Sequence, residues 1–165
     1  MTKIGLLSDT HNVLNPAIFD LFQECDEIWH CGDFGTISIA DQLRAFKNKN
    51  FMVRGVYGNI DGYDVRSVFP EKLSFTCEKV NVFMQHIGGY PDRYARGVKN
   101  DILQHQAKIF ISGHSHILKI MFDKKTDCLH MNPGAAGKHG WQKISTIIRF
   151  AIDGADIINC EVIEL

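Results

Sequence analysis

The chain has 165 residues, 45% hydrophobic and 22% charged, with 18 basic against 19 acidic side chains and a formal net charge of −1. That length allows one domain with a substantial core, so residues 1–165 are read as a single unit. The near-neutral balance argues against a long electrostatic grip on nucleic acid, and no apolar run approaches the roughly 18 residues that a membrane span needs.

The first apolar run, Ile4–Leu7, reads as a buried strand stopped by Ser8-Asp9-Thr10-His11-Asn12. Asn15-Pro16 then opens a helix, with the amide as its cap and proline in the first turn, and Ile18, Phe19 and Phe22 as its apolar face. Glu27–His30 is a second strand running into Cys31-Gly32-Asp33. Thr36–Phe46 has the spacing of a one-sided helix, and Phe51–Val56 is a third strand before Tyr57-Gly58-Asn59-Ile60-Asp61. Strands alternating with helices, each strand ending in a polar glycine-bearing loop, predict an α/β layered fold with ligands at the strands' carboxyl ends.

Leu73–Cys77 and Val80–Met84 flank Glu78-Lys79 as a hairpin, and the second strand ends at His86. Asp92–Gln106 reads as a helix, and Ile109–Ser112 as the strand that delivers Gly113-His114-Ser115-His116. The short strands Ile120–Asp123, Cys128–Met131, Ile144–Phe150 and Ala155–Glu161 predict a second, largely antiparallel sheet packed on the first. The five cysteines (Cys25, Cys31, Cys77, Cys128, Cys160) are dispersed, without a CxxC pair, which fits reduced thiols and a cytoplasmic location. They read as small core residues, with Cys31, beside Asp33, the one to watch for oxidation. The N-terminal apolar run is too short for a signal peptide.

The polar residues at strand ends are Asp9, His11, Asp33, Asn59, His86, His114 and His116. Carboxylates and imidazoles together suit borderline divalent ions. Seven side chains exceed what one ion needs, and two ions sharing a carboxylate would use them all. His30 and His130, in apolar strands, read as structural, and His105 as a surface residue. His139 follows shortly after the Asn132-Pro133-Gly134 loop.

Asp9-x-His11, Gly32-Asp33, Gly58-Asn59, the lone His86 and Gly113-His114-x-His116, in that order, resemble the calcineurin-like metallophosphoesterases. The short chain, the Asn59-Ile60-Asp61 form and the late Asn132-Pro133-Gly134 loop are most similar to the small bacterial and archaeal phosphodiesterases of that family. The resemblance implies a four-layer α/β/β/α sandwich. It places one metal on Asp9, His11, Asp33 and His116, and a second on Asp33, Asn59, His86 and His114, with Asp33 bridging. It implies two divalent ions, manganese first, with iron, zinc, nickel or cobalt as alternatives. A metal-bridging hydroxide would be the nucleophile on a small phosphoester. Two such ions carry about +4 against about −3 on two carboxylates and a hydroxide, an excess that would attract a phosphodiester anion.

Two departures qualify the resemblance. Many relatives carry a histidine after Gly-Asn that protonates the leaving group, whereas here the position is Ile60. Asp61, Tyr57, Arg54 and His139 are the replacement candidates, and Asp61 is placed with Asp33, Asn59 and His86 among the catalytic residues. His86-Ile87-Gly88 also stands where related enzymes have His-Gly-His. The alternatives are a non-catalytic protein-interaction scaffold, since a retromer coat subunit shares the fold, and a nuclease. No membrane partner and no strong nucleic-acid signature are expected, and an edge strand of the late sheet offers a route to a homo-oligomer.

Overall fold

A computed structural model describes residues 1–47 and 51–165. In chain order the first elements are β1 (Thr2–Leu7), α1 (Ala17–Leu21), β2 (Glu27–His30), α2 (Ile37–Ala45), β3 (Met52–Gly55) and α3 (Tyr63–Arg66). Then come β4 (Lys72–Cys77), β5 (Val80–Gln85), β6 (Gly89–Tyr90), β7 (Arg93–Tyr94), α4 (Val98–Gln104) and β8 (Ile109–Ile111). The chain closes with β9 (Leu118–Asp123), β10 (Cys128–Pro133), β11 (Thr146–Asp153) and β12 (Asp156–Glu164).

Two five-stranded sheets carry the fold, ordered β12-β11-β1-β2-β3 and β4-β5-β8-β10-β9. Period-two alternation sorts their side chains into three cores. Ile4 and Leu6 of β1, Val82 and Met84 of β5, Ile109 and Ile111 of β8, and Ile148 and Phe150 of β11 meet between the sheets. On the outer face of the first sheet, Ile28 and Ile147 pack against Ile18, Ile39, Leu43 and Val65 from α1, α2 and α3. On the outer face of the second, Phe83 and Phe110 pack against Val98 and Ile102 of α4. The result is helix, sheet, sheet, helix, the four-layer α/β sandwich expected. Among the described residues no helix is long and apolar enough to cross a membrane.

The late strands are divided differently from the expectation. Only β9 and β10 join the second sheet, while β11 and β12 cross to the first, with β11 antiparallel to β1. The reason is burial on both faces. Ile147 points to the helices and Ile148, Phe150 and Ile152 to the space between sheets, so β11 needs an interior place and leaves β12 as the edge. The second sheet is mixed rather than largely antiparallel, because β5, β8 and β10 run parallel between antiparallel β4 and β9.

The expected helix 92–106 is shortened to α4. Asp92 at φ 69° turns the β6–β7 hairpin, and Gly97 at φ 88° breaks any earlier helical path. The single turn of α3 carried too few residues to show a period in the sequence.

Candidate metal centre

Every expected ligand follows the carboxyl end of a strand: Asp9 and His11 after β1, Asp33 after β2, Asn59 after β3, His86 after β5, and His114 and His116 after β8. The two sheets bring these ends to one rim. Five of these residues hold left-handed backbone: Asp9 (φ 55°), His11 (46°), Asp33 (57°), His114 (66°) and His116 (58°). Such conformations are uncommon outside glycine and concentrate at functional sites. The left-handed backbone at His114 and His116 turns the two imidazoles away from each other. They diverge into two groups, His116 with Asp9 and His11, and His114 with Asp33 and His86.

In each group the candidate donor atoms lie within 4.8 Å of one another. Asp33 Oδ2 stands between them, 3.5 Å from His11 Nε2 and 3.3 Å from His86 Nε2. Asp9 Oδ1 is 3.1 Å from His116 Nε2 and 3.9 Å from His86 Nε2.

Surrounding groups aim these atoms. Ser8 Oγ donates to Asp9 Oδ2 at 2.6 Å and the His114 N–H donates to it at 3.1 Å, leaving Oδ1 turned to the centre. The Ile60 N–H donates to Asp33 Oδ1 at 3.1 Å, leaving Oδ2 in the same way. His86 Nδ1 lies 2.6 Å from the Cys31 carbonyl, so that nitrogen carries the proton and Nε2 keeps its lone pair. Gln142 does the same for His116. Its Nε2 donates to the carbonyls of Gly137 and His139, so its Oε1 must accept from His116 Nδ1, 3.0 Å away.

The buried atoms Asp9 Oδ1 and His86 Nε2 find no hydrogen-bond partner among the described residues. Buried polar atoms left unpaired are costly, and a divalent cation would satisfy both. The donor set of carboxylate oxygens and imidazole nitrogens matches such an ion. Burial lowers the pKa of His11, against the pull of Asp33 and Asp9. Burial opposes charge on His86 as well, yet the neighbouring Asp33 and Asp9 carboxylates raise its pKa overall. The Asp9 carboxylate raises that of His116. Burial works against charge on Asp33, yet the nearby His86 imidazole and the Ile60 N–H hold it below the usual carboxylate range.

Close packing demands glycine at two neighbouring positions. A Cβ on Gly58 would overlap Asp33 Oδ1, and one on Gly113 would overlap Ser8 Oγ and lie 2.9 Å from Asp9 Oδ2.

The candidate proton donors are distributed unevenly. Asp61 is buried, and its two oxygens accept the N–H groups of Gly35 (2.8 Å) and Gly58 (2.7 Å). It clamps the loops that carry Asp33 and Asn59, which corrects its expected place as a proton donor. Arg54 forks onto Glu27, away from the centre, and Tyr57 donates to Glu71. His139 does reach the site, its ring stacked on His11 at a centroid distance of 4.8 Å. His30 is fully buried, stacked on Phe34 and bonded to Thr10 and Gly32, in the structural role expected. His130, bonded to Ser112, is structural too. Cys31 is sealed in the core and burial pushes its thiol pKa far up, so the expected oxidation sensitivity does not hold.

The centre opens into a cleft of about 610 Å³. Ile60, Ile117, His139 and Trp141 line it beside the expected ligands His11, Asp33, Asn59, His114 and His116, with the Trp141 side chain fully exposed at the rim. Ser8 and Gln142 escaped the sequence reading. A serine before the first aspartate was a weak hint of Ser8, but nothing local marks a glutamine 26 positions beyond His116 as its partner.

Comparison with known proteins agrees with this fold. The profile of the calcineurin-like phosphoesterase superfamily domain matches residues 2–155. A probable metallophosphoesterase from Methanocaldococcus jannaschii is 33% identical over 141 residues, covering 80% of this chain and 67% of the relative. An archaeal phosphodiesterase structure superposes with a TM-score of 0.76 at 20% identity, over 99% of both chains. Zinc-complexed Vps29 from Entamoeba histolytica superposes at 0.75 with 16% identity, over 98% of both.

Proposed function

The chain belongs to the calcineurin-like phosphoesterase superfamily, and we propose that within it the protein is a phosphodiesterase that uses two divalent cations, manganese first, on a small phosphoester. The observation that carries this reading is the position of Asp33 Oδ2 between His11 and His86, where the group of Asp9, His11 and His116 meets the group that Asp33 forms with His86 and His114. Bound cations would supply Lewis acidity and a water of lowered pKa. Asp9, His11, Asp33 and His116 would hold one, and Asp33, Asn59, His86 and His114 the other.

The chain's own groups do the rest. Ser8, Gln142, the Ile60 N–H and the Cys31 carbonyl fix ligand orientation before substrate arrives, so little reorganisation remains at the moment of reaction. The apolar side chains of Ile60, Ile117 and Trp141 provide surface for ester substituents. Ile60 donates no proton, which favours diesters whose leaving groups depart as stable anions. His139, exposed beside His11, is placed to touch the substrate.

The test is hydrolysis of bis(p-nitrophenyl) phosphate beside p-nitrophenyl phosphate, by metal-stripped protein with and without Mn²⁺ and by Asp33→Asn in parallel. Diester hydrolysis that requires metal and disappears in the variant is expected. A folded protein inactive with every divalent metal would replace this reading with the interaction scaffold. The likeness to Vps29 bears on the fold alone, whereas a scaffold has no need of unpartnered Asp9 Oδ1 and His86 Nε2 in its interior.

A further inference from the structure

The loop that bears His114 and Ser115 is the wall between two cavities. One side is the metal cleft. The other is a separate pocket of about 330 Å³ on the outer face of the second sheet, bounded by the β6–β7 hairpin. Its size is in the range of small-molecule sites. The register of the sheet explains what lies there. Asn132 pairs with Lys119 and His130 with Met121 across β10 and β9, and Met131 faces the opposite way, into the core between sheets. Alternation therefore puts His130, Asn132 and Lys119 on the outer face. The hairpin adds Tyr90 and Arg93.

The pocket's charge is one-sided. Arg93 and Lys119 line it, no carboxylate does, and neither cation forms an ion pair or a side-chain hydrogen bond among the described residues. Lys119 is held instead over the Tyr90 ring, Nζ 3.9 Å from its centroid, which fixes the ammonium at the wall without neutralising it. Ser115 Oγ accepts from Asn132 Nδ2 (3.2 Å) and from the Ile117 N–H (3.3 Å), so its own proton is available to a ligand. His130 also lines the pocket, and its buried Nδ1 lacks a partner.

We propose that this pocket binds a second phosphate carried by one ester substituent of the substrate, so that the enzyme selects phosphoesters that bear another phosphate close to the one hydrolysed. The reacting phosphate would lie on the metal side of the His114–Ser115 wall, and the substituent would cross it to reach Arg93, Lys119 and the Ser115 hydroxyl. This rests on the phosphodiesterase reading, and two readouts keep the two apart.

The test is calorimetric binding of thymidine 5′-monophosphate and thymidine 3′,5′-bisphosphate to the Mn²⁺-loaded protein, with bis(p-nitrophenyl) phosphate turnover measured on the same samples. The bisphosphate is expected to bind at least about tenfold more tightly. That advantage should shrink to within about twofold in the Arg93→Gln/Lys119→Gln variant and persist in Lys125→Gln, a cation outside the pocket. Equal affinities in the unmodified protein, or an advantage that survives the double variant, would overturn the proposal. Bisphosphate preference without diester turnover would retain the anion pocket and remove the phosphodiesterase. Turnover without the preference would do the reverse.

Discussion

The Nε2 atoms of His11 and His116 lie 3.3 Å apart, although 105 positions separate the two residues in sequence. Gln142 requires the proton of His116 on Nδ1, so the Nε2 lone pair of His116 faces His11 and Asp9 Oδ1. Lone pairs converging on a carboxylate oxygen repel unless a proton or a cation lies among them. Metal should therefore stabilise the fold. With Mn²⁺ at about a hundred times its dissociation constant, one site adds about 2.7 kcal/mol, or about 5–10 °C in melting temperature for a domain of this size. Thermal melts in chelator and in Mn²⁺ should differ by that amount in the native protein and by much less in Asp33→Asn. Superimposable melts would leave the centre without a metal.

Gln142 acts on the metal only through His116. Gln142→Ala should weaken metal binding by about 10–100-fold, as loss of such outer partners does. Gln142→Glu, which still accepts from Nδ1, should retain binding. Metal titrations followed by competition with a chromogenic chelator read both. Equal affinity in the alanine variant would show that His116 needs no orienting partner.

Gly58→Ala forces a methyl group onto Asp33 Oδ1. Overpacking of this kind costs about 1–3 kcal/mol. Because Asp33 is the shared ligand, its displacement should reduce diester hydrolysis about 100-fold, more than the stability loss accounts for. Denaturant unfolding and turnover together measure the two effects. A fully active Gly58→Ala protein would remove Asp33 from the reaction.

Ile60 occupies the cleft wall where a proton donor would help a poor leaving group. Ile60→His should raise hydrolysis of an alkyl aryl diester at its alkyl oxygen relative to bis(p-nitrophenyl) phosphate by at least about tenfold, the low end of general-acid effects. An unchanged ratio would mean that another group already delivers the proton.

His130, which is not one of the expected metal ligands, gives the fold a dependence on pH. Burial lowers its pKa from 6.5 to about 4. The unfolded chain thus takes up the proton first as pH falls, and the stability that neutral His130 confers above pH 6.5 is lost progressively down to about pH 4. Between pH 7 and pH 5 the loss from this group is on the order of 2 kcal/mol. His130→Gln, which can still reach Ser112, should lose less stability over that interval by a similar amount in urea unfolding. His30, with a pKa lowered to about 3 by burial, acts in the same direction and remains in both proteins.

The chain itself determined which residues form the centre. An imidazole or carboxylate just past an apolar run is a local feature, and strands that run parallel gather their carboxyl ends on one rim whatever their order, so Asp9, His11, Asp33, His86, His114 and His116 were legible from position alone. Tertiary structure decided the rest. It sent β11 to the side of β1, because burial on both faces is settled by what packs against each face and leaves little trace in a short apolar run. It gave Asp61 to two backbone N–H groups, turning a candidate acid into a clamp. It also set Gln142 behind His116 and left Arg93 and Lys119 without counterions among the described residues, in the pocket beside the cleft. Hydrogen bonds and unpaired charge depend on separations of a few ångströms between residues far apart in the chain, and only the folded structure fixes those.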